Sequence, residues 1–148
     1  MIAKHVAMRS VRKSDFGELA RYITDSQGVG ERIGYTAITH CHSDSVEMAA
    51  IEVRGTQLRN TRSDADKTYH LIVSFRAGEQ PSDAVLKAIE ERICQGLGFG
   101  EHQRVSAAHY DTDNVHLHIA INKVHPTRYT VHAPYNDHKM LGKLCEAL

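Results

Sequence analysis

The chain alternates between stretches of period two and stretches of helical period, and the sharpest of the former lies near its C-terminal end. Over residues 115–124, Val115, Leu117, Ile119 and Ile121 fall on one side, with His116, His118, Ala120 and Asn122 on the other. That alternation is the mark of a strand with one buried face. Residues 104–110 are β-compatible, and Asp113-Asn114 supplies turn chemistry between the two arms. Paired around that turn, His109 falls opposite His116, and His118 lies one side-chain step further along the same face.

The remaining pattern predicts three more strands and four helices. Residues 2–8, 33–41 and 68–76 read as strands; the last has Tyr69, Leu71, Val73 and Phe75 on one face and His70, Ile72, Ser74 and Arg76 on the other. Residues 15–24 form a helix with Phe16, Leu19, Ala20 and Ile23 on its apolar stripe, Tyr22 on the flank and Ser14 as N-cap. Asp44-Ser-Val-Glu47 resembles a capping box opening a second helix, with Val46, Ala49, Ala50, Val53 and Leu58 inward. Pro81-Ser82 opens a third, carrying Val85, Leu86, Ile89, Ile93 and Leu97 and closed by Gly96 and Gly98. Residues 137–148 form the last. This order predicts an α+β two-layer sandwich with a central, mainly antiparallel sheet of about five strands. Helices cover one face of that sheet. The other is left for a ligand, and the histidines point there.

Composition adds bounds rather than an assignment. With 148 residues, 18 basic and 18 acidic, the chain is one domain of ordinary globular make-up with no net charge. Bulk charge therefore does not announce a nucleic-acid binder, although a local cationic groove needs no basic total. Cys41, Cys94 and Cys145 fit no disulfide framework, and no signal peptide or membrane-length apolar run is present. A cytoplasmic protein with no membrane partner is expected. The amphipathic stretch 137–148 runs to the last residue without a stop signal, so residues 1–148 are expected to be the N-terminal domain of a longer protein.

His109, His116 and His118 on one rigid sheet face are candidate ligands for a divalent cation, with coordination positions left open as in catalytic sites. A His-x-His pair in a strand is usually incidental; the third histidine opposite, Asp111 two residues on, and the apolar reverse face argue otherwise. No cysteine pair accompanies them, which excludes a zinc finger. His40-Cys41-His42 lacks a third partner and reads as ordinary strand. An open metal site alone does not choose a reaction. It serves equally to polarise a phosphodiester, activate water or bind an oxidisable substrate.

The pattern His109-x-Asp111-x-x-Asn114-x-His116-x-His118-Ile119-x-x-Asn122 resembles the third motif of conjugative relaxases in the HUH endonuclease superfamily. Arg21-Tyr-Ile-Thr24 resembles their first motif and Lys67-Thr-Tyr-His-Leu-Ile-Val-Ser-Phe-Arg76 their second, in the expected order. The chain is most similar to the MobP group of IncP-type plasmids, over nearly its whole length. The resemblance implies the HUH relaxase fold and strand-specific nicking of single-stranded plasmid DNA at an origin of transfer. By the same resemblance Tyr22 would be the nucleophile, and become linked to the 5′ phosphate. His109, His116 and His118 would hold the cation, Mg²⁺ or Mn²⁺ in use, and Ser74 would contact DNA near the nick. Relaxosome accessory proteins and a type IV secretion coupling protein are implied as partners, and transfer of the DNA-linked protein to a recipient cell follows for the family.

Physical chemistry is consistent with these roles. A cation on a non-bridging oxygen offsets charge in the transition state of phosphoryl attack. A phenol ionises near pH 10, so a tyrosine nucleophile needs assistance near neutrality, by a roughly thousandfold shortfall of phenolate. Asp111 would orient a histidine ring or act as the base; the sequence leaves both open. A tyrosine on a helix flank is more often a packing residue, and Ser74 more often a plain strand residue; the ordered motifs favour function for both. Arg12, Lys13, Arg62, Arg76 and Lys123 are candidate DNA contacts, each individually more often a solvated charge. Rival readings are a rolling-circle replication initiator, in which the tyrosine usually follows the histidines, a non-catalytic metal- or DNA-binding domain, and a hydrolase using water.

Overall fold

The structure, a computed structural model, describes residues 1–6, 15–24, 33–110 and 113–148. The elements run β1 (Ile2–Val6), α1 (Phe16–Thr24), β2 (Ile33–Thr39), α2 (Val46–Leu58), β3 (Thr68–Ser74), α3 (Asp83–Gly96), β4 (Arg104–His109), β5 (His116–Asn122) and α4 (Asp137–Ala147). The five strands form one sheet in the order β1-β3-β5-β4-β2, and every adjacent pair is antiparallel. The α+β class and the antiparallel sheet are as the sequence predicts. So is the hairpin register, in which His109 pairs with His116 and Arg104 with Ile121.

Cap chemistry sets where the helices start. The Ser45 side chain accepts from the Met48 amide at 3.3 Å and the Ser82 side chain from Val85 at 3.3 Å, so the second helix begins one residue later than an Asp44 cap would place it. At α1 the Asp15 carboxylate accepts from the Glu18 amide at 3.1 Å. The expected cap Ser14 lies outside the described residues, and Asp15 makes the bond. Leu58 and Val85, expected inward, are exposed at 65% and 46%. At 100° per residue Leu58 lies about 140° around the helix from buried Val53, and Val85 about 100° from buried Leu86.

Two apolar clusters lie on opposite faces of the sheet. Leu71, Val73, Leu117, Ile119 and Ile121 pack with Leu86, Ile93 and Leu97 of the α3 region and Leu141 of α4. On the reverse face Phe16, Leu19, Ala20 and Ile23 of α1 and Ala49 and Val53 of α2 pack on Val105, Ala107 and Ala120. The histidine face is therefore not left wholly free, as the pattern suggested. The β4–β5 part of it is roofed by α1 and α2. Small side chains make this possible, since Ala107 and Ala120 let a helix lie close to the sheet. Over β1 and β3 the roof ends, and Ile2 is 71% exposed.

A register shift in β2 between Ile33 and Tyr35 keeps Ile33 opposite His109. Gly34 sits at that irregularity, and a Cβ there would come within 2.4 Å of the Tyr110 ring. Only glycine lets Tyr110 close over the strand beside the histidines.

Candidate active site

Cross-strand pairing builds the site in rows. Ile2, Ser74, His116, His109 and Ile33 stand side by side across β1, β3, β5, β4 and β2. The adjacent row contains Ile72 and His118, and the next contains His70 and Ala120. Directly opposed Cβ atoms lie about 5 Å apart, so Ser74, His116 and His109 are immediate neighbours on one face. The sequence motifs around residues 74, 109 and 116 thus meet because β5 lies between β3 and β4.

His109 is 5% exposed, and its Nε2–H donates to the Ile23 carbonyl at 2.7 Å. That carbonyl is one of those a helix C-terminus leaves without an intrahelical partner. A carbonyl only accepts, so the bond places a proton on Nε2. The same bond ties the last turn of α1 to the histidine row. The Thr24 hydroxyl closes that turn by donating to the Ala20 carbonyl at 2.7 Å. Tyr22 lies on this turn and is 66% exposed, consistent with its expected place on the flank.

His118 stacks on His109 with ring centroids 4.3 Å apart. Its Nδ1 lies 3.2 Å from Nε2 of His70, a residue not singled out by sequence. Burial holds the His118 pKa down to about 3, with further lowering by His109, His70 and His116; burial, then His5, holds His70 down to about 4. Both rings are therefore neutral near pH 7, the form that binds metals. With His118 donating from Nδ1, His70 accepts and the His118 lone pair sits on Nε2. This is the outer-nitrogen hydrogen bonding that orients histidine ligands, and the His109–Ile23 bond has the same form.

The donor set and its supporting bonds fit a divalent cation in kind. They do not form a closed cage: among the described residues no three His, Cys, Asp or Glu side chains converge on a metal position. His109 and His118 stand face to face rather than edge-on to a shared point. Asp111, Arg12 and Lys13 lie outside the described residues. Ser74 and exposed Arg76 stand at the histidine end of β3. Arg62 and Lys123 do not; Arg62 is in the loop before β3, and the Lys123 Nζ lies 6.0 Å from the Tyr69 ring, beyond the far end of β5. His42 donates its backbone amide to Glu52 at 2.9 Å, and burial pushes the Cys41 thiol up to about 12. The strand expected over 40–42 is not formed: β2 ends at Thr39, and His40 takes a positive φ of 61° that turns the chain out of the sheet.

Residues 22–148 match the family model for the relaxase, MobA/VirD2-like nuclease domain, and the first residue matched is Tyr22. The chain belongs to this family. Two curated relatives described as Protein TraI from Escherichia coli are 62% and 64% identical to it over 148 residues, all of this chain and 20% of each relative. Protein MobA of Acidithiobacillus ferrooxidans is 44% identical over 61 residues, 41% of this chain and 15% of that protein. The T-DNA border endonuclease VirD2 of Rhizobium radiobacter is 38% identical over 61 residues, 39% of this chain and 14% of that protein. The chain thus spans about a fifth of the length of the TraI relatives. No solved structure matches it. Relaxase nuclease domains are generally metal-dependent, in keeping with the imidazole donors here.

Proposed function

We propose that this relaxase domain nicks one strand of DNA at an origin of transfer by tyrosine transesterification during plasmid conjugation. One observation carries the reading. The turn bearing Tyr22 is hydrogen-bonded through Ile23 to His109, in the row that also holds His116 and Ser74. Nucleophile helix and candidate metal ligands are thus one rigid unit. The match to the family and the names of the TraI and VirD2 relatives support the choice of DNA as substrate.

In this reaction the Tyr22 oxygen forms a bond to the scissile phosphorus and the bond to the 3′ oxygen breaks. The phenol proton leaves to a base or to water, and the departing oxygen takes up a proton to become a 3′ hydroxyl. One diester replaces another, so no ATP is consumed and rejoining is the reverse reaction. His109, His116 and His118 would hold the cation; bound there, Mg²⁺ or Mn²⁺ supplies charge stabilisation at the phosphate. Imidazole favours later transition metals on affinity alone, so the donor set does not name the ion. Ser74 and Arg76 would hold DNA beside the cleaved bond, and Asp111 would orient a histidine or take the tyrosine proton. His70 positions His118. A cytoplasmic location suits this activity, and among the described residues no helix is long and apolar enough to cross a membrane. Accessory proteins of the relaxosome and a secretion coupling protein would be the protein partners.

The test is a covalent adduct. The domain is incubated with end-labelled single strands tiled across the transfer origin, with Mg²⁺ or Mn²⁺, and denatured before electrophoresis. A labelled protein band is expected from the native chain and none from Tyr22→Phe. An adduct that survives Tyr22→Phe, or cleavage to a free 5′ phosphate without any adduct, would overturn the assignment.

A further inference from the structure

The histidines occupy one end of the sheet, and a second polar surface lies at the other. From the Ser74–His116 pair to the Thr68–Asn122 pair is six register steps, or about 20 Å at roughly 3.3 Å per residue. Beyond that end, the loop after α2 and the segment after β5 enclose a cleft of about 600 Å³ lined by Arg59, Asn60, Arg62, Arg128 and Tyr129. The Arg59 guanidinium lies 4.6 Å from the centre of the Tyr129 ring. Tyr129 takes a positive φ of 55°, rare for a side chain of its size, and the Asn60 side chain holds it by donating to its carbonyl at 2.7 Å.

Asn60 itself is unusual. It is 7% exposed, and its Oδ1 has no hydrogen-bond partner among the described residues. A buried acceptor left open is destabilising, and a ligand donor would relieve it. Asn60 also lines a second groove, between α1 and α2, which carries Arg21, Arg54 and Lys67 together with Asp15 and Glu47. Glu47 lies 4.0 Å from Arg21, so Arg54 and Lys67 carry most of the groove's attraction for phosphate. Arg21 is the neighbour of Tyr22, so this groove runs from the nucleophile's helix to Asn60, where the distal cleft begins.

We propose that this track is a second nucleic-acid contact, holding single-stranded DNA at roughly six stacked nucleotides (about 3.4 Å each) from the cleaved phosphate. Arginines at the distal cleft take backbone phosphates, and the Arg59–Tyr129 layer gives a flat platform for a base. The Asn60 Oδ1 accepts from a base N–H, a donor that phosphate cannot supply. Glu101 lies 3.3 Å from the Arg128 guanidinium, so Arg59 and Arg62 carry more of the phosphate attraction. The proposal rests on the DNA reading above and gives it a function of its own: one product strand is held by the covalent bond to Tyr22, and a grip far from that bond needs no covalent link.

Binding of a twenty-nucleotide oligo-dT is measured at several salt concentrations for the native chain, for Arg59→Ala/Arg62→Ala, and for Lys87→Ala/Arg92→Ala. The last pair removes two exposed cations from α3, on the opposite side of the sheet. The first double variant should bind about tenfold more weakly, with its log–log salt slope reduced by about 1.4, near 0.7 for each phosphate lost. The α3 variant should match the native chain. All four substituted residues are exposed, so thermal unfolding should be nearly unchanged. Native affinity in Arg59→Ala/Arg62→Ala, or an equal loss in Lys87→Ala/Arg92→Ala, overturns the track. The Tyr22 adduct assay judges the nicking reading separately: if no adduct forms while the salt slopes behave as stated, the track stands and nicking falls.

Discussion

The same strands present very different faces. Toward α3 and α4, Leu71, Val73, Leu117, Ile119 and Ile121 are all fully buried, and the layer is closed. On the reverse face the interleaved Ile72, Ser74, His116 and His118 are only partly buried, because α1 and α2 roof β4 and β5 and stop short of β1. Each fully buried aliphatic side chain is worth about 1.5–3 kcal/mol, so the closed face supplies stability. The open face is then free to hold polar groups that lower stability. The helical roof ends over β1 and β3, and the partly buried His116 and His118 lie along that margin.

If this division holds, substitutions on the closed side should cost folding and those on the open side chemistry. The largest effect is expected at the Glu90–Arg104 pair, which joins α3 to β4 at 2.7 Å with both side chains 2% exposed. Glu90→Ala strands a buried guanidinium and should cost about 3–5 kcal/mol in urea unfolding. Leu117→Ala should follow at about 2–5 kcal/mol. Tyr22→Phe, at an exposed position, should shift the same unfolding curve by less than about 0.5 kcal/mol while removing the adduct. A Tyr22→Phe protein as unstable as Leu117→Ala would make the tyrosine a packing residue and break the contrast.

His70 sharpens it further, because it lies on the chemical face yet is buried. His70→Leu removes the partner of the His118 Nδ1, and Mn²⁺ affinity measured by calorimetry should fall about 10–100-fold. His70→Gln retains an acceptor and should recover part of that affinity. Equal affinities in the native chain and both variants would mean that His70 only fills space.

The second arm of the hairpin was legible because Val115, Leu117, Ile119 and Ile121 fall at every second position, which fixes its buried face, and the Asp113-Asn114 turn sets the register. The helical stripes of α1 and α3 were legible for the same reason at the longer period. The roof over the histidines was not. Residues 105–108 read Val-Ser-Ala-Ala, and small residues on both faces give periodicity nothing to distinguish. Of these, Ala107, with Ala120 of β5, is what allows α1 to approach. His70 was missed because a histidine within an apolar strand gains meaning only from what lies diagonally across, and strand order is not written in local pattern. Ser74 was found by its motif; that it neighbours His116 required β3 and β5 to be paired.

The smallest expected effect concerns acid, and it asks whether a histidine's behaviour follows its place. His102 is buried at the end of the sheet away from the His109–His116 row, and its Nδ1–H donates to the Asn122 carbonyl at 2.7 Å. Its pKa is lowered, first by burial and then by His125 and His132, against the raising effects of the Asn122 carbonyl and Glu101. Since the folded value lies below the ordinary value near 6.5, the unfolded chain takes up the proton first as pH falls. Stability should be full above about pH 6.5 and decline below it, by at most about 1.4 kcal/mol per pH unit from this one group. His102→Gln keeps a donor to the carbonyl without a proton to gain, so its urea midpoints between pH 8 and pH 5, in metal-free buffer, should fall less than those of the native chain. Parallel declines would move the acid response to other groups, the hydrogen-bonded pair His70 and His118 foremost, and the histidine face would then set the pH limit of the fold.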